Sequence, residues 1–111
     1  MGDPPPELYR AYDWEFSFTL DACASPKNYK HTNYEGVNGL TRSWAGERVW
    51  CNPPYSDIEP WIRRGYDREA DIAAFLLPVR SDTDWWRRFV ADEVKGAWTL
   101  KCDGYRVFRR R

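Results

Sequence analysis

Leu8, Tyr9, Ala11 and Tyr12 recur at spacings of three and four, which predicts a short amphipathic helix from Glu7 to about Trp14. Pro4, Pro5 and Pro6 bar an earlier helix but suit a first turn. From Phe16 to Leu20 the period changes to two, large apolar against small polar, which predicts a strand. Asn28 to Ser43 is polar, with Gly36, Gly39 and three asparagines, and reads as a long loop of the kind that carries function. Glu47 to Cys51 predicts a second strand, stopped by Asn52-Pro53-Pro54-Tyr55. Ser56-Asp57-Ile58-Glu59 has capping-box spacing and Pro60 suits a first turn, so a helix follows to about Ala70, with Glu59 placed to pair with Arg63. The apolar run within Asp71–Val79 predicts a strand buried on both faces. A capped short helix carrying Trp85, Trp86, Phe89 and Val90 comes next. Two strands, Ala97–Leu100 and Tyr105–Phe108, are joined through Asp103-Gly104. Strands alternating with helices predict an α/β domain with a mainly parallel sheet.

Length fits one domain: 111 residues, 42% of them apolar, with seven tryptophans. That composition excludes a disordered chain. Seventeen basic residues balance seventeen acidic ones, so binding to nucleic acid by bulk charge is excluded, though a local basic site is not. No apolar run approaches the ~20 residues of a membrane span, and the N-terminus lacks the basic and apolar regions of a signal peptide. Cys23, Cys51 and Cys102 are odd in number and lack C-x-x-C spacing, as expected of reduced thiols in a cytoplasmic protein. His31 has no cysteine nearby, which leaves no zinc set.

The most specific feature is Asn52-Pro53-Pro54-Tyr55. Two prolines fix the backbone and remove two N–H donors, leaving their carbonyls to accept. The asparagine adds an acceptor and a donor, and the tyrosine a flat ring. This combination suits a planar, amino-bearing group such as adenine. A proline-rich turn after an edge strand is the plainer reading of N-P-P alone. Its place, after a strand and before a capped helix, favours function.

The chain resembles the phage-type DNA N6-adenine methyltransferases. The resemblance rests on Glu15-Phe16-Ser17-Phe18-Thr19-Leu20-Asp21-Ala22-Cys23-Ala24-Ser25, on Pro26 and Asn28, and on the aromatic-plus-glycine loop Tyr34–Leu40. It continues through Trp44-Ala45-Gly46, the N-P-P-Y element, Pro60-Trp61 and Leu76-Leu77-Pro78, in the family's order from about Pro4 to Phe108. Two positions depart from the family pattern: Asp3-Pro4 stands for Thr-Pro, and Asn38 for the acidic residue before Gly-Leu.

The resemblance implies a compact methyltransferase-like (Rossmann-like) sheet with flanking helices, reduced in size. It implies one minimal methyltransferase domain over 1–111 that lacks the family's usual C-terminal end. S-adenosyl-L-methionine is the implied cofactor, held by Asp21, Ala22, Cys23, Ala24 and Asn38. Asn52, Pro53, Pro54 and Tyr55 are the implied catalytic residues, with no metal. Double-stranded DNA is the implied partner, in the cytoplasm of a bacterial host of a phage or prophage. The alternatives are an inactive DNA- or protein-binding relative, and an enzyme acting on a protein glutamine or an RNA base. Arg63, Arg64, Arg68, Arg87, Arg88 and Arg109 to Arg111 are candidate phosphate contacts, each more simply a solvated surface residue. Trp61, Trp85 and Trp98 read as core, Cys51 as a small buried residue, and Asp82 and Asp84 as helix caps.

Overall fold

A computed structural model describes residues 6–67, 69–77, 84, 87, 88, 98–100 and 105–109. Helix α1 (Pro6–Phe16) leads into β1 (Leu20–Asp21). A long loop with one 3-10 turn (Val37–Leu40) connects to β2 (Arg48–Cys51). Then come α2 (Glu59–Tyr66), β3 (Ile72–Leu76), β4 (Trp98–Leu100) and β5 (Tyr105–Arg109). The five strands form one sheet in the order β1-β2-β3-β5-β4. β1, β2 and β3 are parallel, and β5 runs antiparallel to both its neighbours. Only β5 therefore opposes the others, and the sheet is mainly parallel as the alternation of elements predicts. Among the described residues no helix is long and apolar enough to cross a membrane.

The sheet separates two cores. Successive strand residues point to opposite faces, so Leu20, Val49, Cys51, Ala73 and Phe75 pack with α2 residues Trp61 and Ile62 on one face. Trp50, Ile72 and Ala74 pack on the other with Tyr9, Phe16 and Phe18. Trp50 is the centre of this second core, with Tyr9 edge-on at 5.3 Å and Phe18 at 5.6 Å.

Three expectations are corrected. The strand expected over Phe16–Leu20 is only Leu20–Asp21, because Phe16 still belongs to α1. Ser17 takes the left-handed conformation (φ 53°) that ends a helix, and its N–H donates to the Asp13 carbonyl at 2.7 Å. The Asp13 carboxylate then accepts the Phe18 N–H at 2.8 Å. Alternation at Phe16 and Phe18 thus reflects one buried face shared by a helix end and the segment after it. α2 is also shorter than expected and is capped at Ile58 without a side-chain bond, so Ser56 does not close a capping box. Finally, Glu59 reaches Arg88 at 3.8 Å rather than Arg63. The short helix around Trp85, its cap at Ser81–Thr83 and the Asp103-Gly104 turn lie outside the described residues, apart from Asp84, Arg87 and Arg88.

Trp50 is 1% exposed and Trp14 is 91% exposed. Trp50→Ala should therefore lower unfolding free energy by about 3–5 kcal/mol, and Trp14→Ala by about 0.5 kcal/mol or less. Denaturant titration of the two variants checks this ordering, and similar losses in both would contradict the two-sided core.

Candidate active site at the ends of the parallel strands

β1 and β2 are adjacent and parallel, so the chain leaves both at the same edge of the sheet. The Ala22 N–H donates to the Trp50 carbonyl at 2.9 Å, which carries the pairing past the end of β1. The prolines after β2 cannot continue it. Crevices beyond the carboxyl ends of parallel strands are where ligands bind in open α/β sheets. A cavity of about 550 Å³ lies here. One wall comes from Cys23, Ala24, Ser25, Asn28, Gly36 and Leu40; the other is Asn52 to Tyr55 with Asp57 and Trp61. Its volume falls in the range of small-molecule sites, roughly 300–1,000 Å³.

The N-P-P-Y wall has a defined internal geometry. The Pro54 carbonyl accepts the Asp57 N–H at 3.1 Å and closes the turn into α2, so it is not free as the sequence suggested. Asn52 is half-buried, Pro53 buried and Tyr55 half-buried. Among the described residues the Asn52 amide has no hydrogen-bond partner. Burial pushes the Tyr55 hydroxyl up, and its ring packs against the core that holds Trp61, which is 3% exposed.

The opposite wall is built of small residues and is pinned from outside. The 3-10 turn presses on Ala22 so closely that a Cβ at Gly39 would lie 1.8 Å from the Ala22 carbonyl oxygen. Only glycine permits that contact. Trp44 Nε1 donates to the Gly39 carbonyl at 2.9 Å. The Arg64 guanidinium lies over the Trp44 ring at 4.8 Å and donates to the Leu40 carbonyl and, at 2.8 Å, to the Arg42 carbonyl. Glu69 pairs with Arg64 at 2.7 Å and accepts the Trp44 N–H, a backbone bond that with Arg64 lowers its pKa. Arg64, considered as a phosphate contact, is thus a clamp on the loop. Sequence reading missed Gly39, Trp44 and Arg64 in these roles. Gly39-Leu40 was visible as a signal, but the Arg64–Leu40 contact spans 24 residues and leaves no local pattern.

Cys23 and Ala24 line the cavity, whereas Asp21 and Ala22 are buried outside the lining and Asn38 is exposed on the turn between the lining residues Gly36 and Leu40. Cys51 is fully buried and its thiol is pushed well up by burial; Cys23 rises to about 11 for the same reason. Neither is a thiolate nucleophile at neutral pH.

Asp21 is the buried charge of the site, 2% exposed. Oδ2 accepts the Lys30 N–H at 2.7 Å, while Oδ1 has no hydrogen-bond partner. Burial pushes this carboxyl from 3.8 to about 6, against the lowering pull of the Lys30 and Cys23 amides and of the Lys30 and His31 charges. The charged form is therefore disfavoured by folding. The contribution of Asp21 should be fully present below about pH 4 and be lost as pH rises through 6, about 3 kcal/mol in all. Asp21→Asn should remove this fall and melt higher than the parent at pH 7. Melting curves of both proteins from pH 4 to 7 test it, and a parent curve without the decline would refute it.

Comparison with known proteins supplies the family. The DNA N-6-adenine-methyltransferase (Dam) family matches residues 3–98. A DNA N-6-adenine-methyltransferase of Haemophilus phage HP1 is 32% identical over 83 aligned residues, covering 70% of this chain and 48% of the phage protein. The chain thus spans about half the length of the curated relative it matches. No solved structure matches it. With the family matching residues 3–98, well over half of its length, the chain belongs to the DNA N-6-adenine-methyltransferase (Dam) family.

Proposed function

We propose that the chain transfers a methyl group from S-adenosyl-L-methionine to the N6 amine of an adenine flipped out of double-stranded DNA, in the cytoplasm of a bacterial host. The observation that carries this reading is the shared cavity. The acceptor-rich wall Asn52–Tyr55 faces the small-residue wall Cys23–Ser25 from the ends of neighbouring parallel strands. β5, inserted antiparallel between β3 and β4, fits the sheet of a methyltransferase-like fold reduced in size.

The residues present fit the cofactor. The unpaired Oδ1 of Asp21 is an acceptor for an ammonium group, and Ala22, Cys23 and Ala24 let the backbone approach closely. Asn38 is the proposed contact to the cofactor's adenine edge, reached from the exposed turn. When bound, the cofactor supplies an electrophilic methyl group. On the opposite wall the Asn52 side-chain oxygen and the Pro53 carbonyl accept from the substrate amine, which draws electron density onto N6. Pro54 fixes the turn that holds both acceptors, and Tyr55 stacks on the base. Unstacking the target costs a few kcal/mol, and orientation at the two acceptors provides much of the acceleration. The N6 proton leaves after the methyl arrives, so no strong base is needed at the site.

Asn52→Ala should slow methyl transfer by about a hundredfold or more with cofactor affinity and melting temperature close to the parent's. Calorimetric titration with S-adenosyl-L-methionine, single-turnover transfer and adenine-methylation sequencing of exposed DNA form the test. A folded Asn52→Ala protein working at the parent's rate would remove Asn52 from the chemistry. A parent that does not bind the cofactor would reduce the chain to a binding relative of the family.

A further inference from the structure

Tyr29 and Tyr34 stack face to face on the loop that walls the cavity, with ring centroids 4.7 Å apart and planes within 7°. Tyr34 is fixed against the edge of β1: the Asp21 N–H donates to the Asn33 carbonyl at 3.0 Å and the Glu35 N–H to the Asp21 carbonyl at 2.9 Å. Tyr29 is held by its N–H to the Ser25 carbonyl at 3.1 Å. Their sequence neighbours Asn28 and Glu35-Gly36 adjoin or form the cavity wall. Tyr29 is nevertheless 45% exposed, although core space was available to other aromatics of the chain. One ring is thus mounted on another and left partly open, which is the form of a platform awaiting a third flat ring.

The surrounding charge indicates which ring. Lys27 is exposed, and Lys30 and His31 follow on the same loop. Two acidic groups of this region are committed: Asp21 is buried, and Glu35 faces Arg42 at 3.6 Å. A basic, aromatic surface suits a phosphodiester chain with stackable bases. It does not suit a cationic sulfonium cofactor that carries no phosphate. Resting on the methyltransferase reading above, we infer that the open face of Tyr29, backed by Tyr34, stacks on a DNA base beside the flipped adenine while Lys27 and Lys30 take the flanking phosphates. Flipping leaves neighbouring bases with an unstacked face, and Tyr29 covers one.

Stacking is sequence-tolerant, so an undetermined recognition site does not block the test. The probes are a fluorescent dodecamer of single-stranded deoxyadenylate and an abasic strand of equal length, titrated by anisotropy. Tyr29→Phe should bind both as the parent does. Tyr29→Leu, which keeps apolar contact with Tyr34, should bind the adenine strand about five- to a hundredfold more weakly. Its affinity for the abasic strand and for S-adenosyl-L-methionine should not change. Parent-like binding of the adenine strand by Tyr29→Leu overturns the inference. So does weakened cofactor binding with DNA affinity intact, which would place Tyr29 at the cofactor, or equal weakening on both strands. If the parent binds the adenine strand through Tyr29 but neither binds cofactor nor methylates, the platform stands and the methyltransferase reading fails.

Discussion

The site depends on a parallel ladder that is very short on one side. β1 contributes only Leu20 and Asp21, paired with Val49 and Trp50. A slip of one residue would exchange the two faces of the strand, moving Leu20 out of one core and Asp21 out of its buried position. Register is held by residues outside the strand. Phe18 anchors the approach through Tyr9 and Trp50, at 5.7 and 5.6 Å. Thr19 Oγ1 accepts the Arg48 N–H at 2.8 Å and donates to Glu47 at 2.7 Å. On the outer edge, the bridge between Asp21 and Tyr34 adds a strand-like neighbour. The loop therefore both walls the cavity and runs along the outer edge of β1.

That arrangement explains why the loop is long, polar and still ordered. It has little apolar surface to bury, so its position comes from directed contacts: Gly39 against Ala22, Trp44 under Arg64, and Arg42 between Glu35 and Glu47. Exposed ion pairs contribute little alone. Here they act on a loop already fixed by a buried indole hydrogen bond, from Trp44 to Gly39. Arg64 is a positioning residue for one cavity wall, acting through the Leu40 and Arg42 carbonyls and the Trp44 ring.

The fold was legible where packing follows local pattern. The strands at Arg48–Cys51, Ile72–Leu76 and Tyr105–Arg109 were readable because apolar period or run length marks them. β1 was not, because Phe16 and Phe18 face one core from different local conformations, and only the left-handed Ser17 separates them. The α2 boundary failed similarly: capping-box letters were present at Ser56–Glu59, but the turn uses Pro54 and Asp57 instead. N-P-P-Y was legible as a site because proline restricts backbone geometry wherever it occurs. The Arg64 clamp and the Tyr29–Tyr34 stack depend on contacts that no periodicity encodes.

The chemistry of the walls also constrains what reaction they can serve. Cys23 and Cys51 are held as thiols, and burial raises the Tyr55 hydroxyl, so none of these three is an activated nucleophile. Two acceptor oxygens stand without a partner among the described residues, the Asn52 side-chain oxygen on one wall and the buried Asp21 Oδ1 outside the lining. Such a site cannot readily attack a substrate, but it can orient donors on two partners brought together. On the proposed reading, an aromatic amine would donate to the Asn52 side-chain oxygen and thereby become a better nucleophile, and an ammonium group would donate to Asp21. A buried carboxylate with an unmet oxygen is unfavourable in the empty protein, and a cationic ligand would relieve that cost on binding. On the proposed reading, the instability at Asp21 would be a source of ligand affinity, which a stability-optimised Asn at the same position would forfeit.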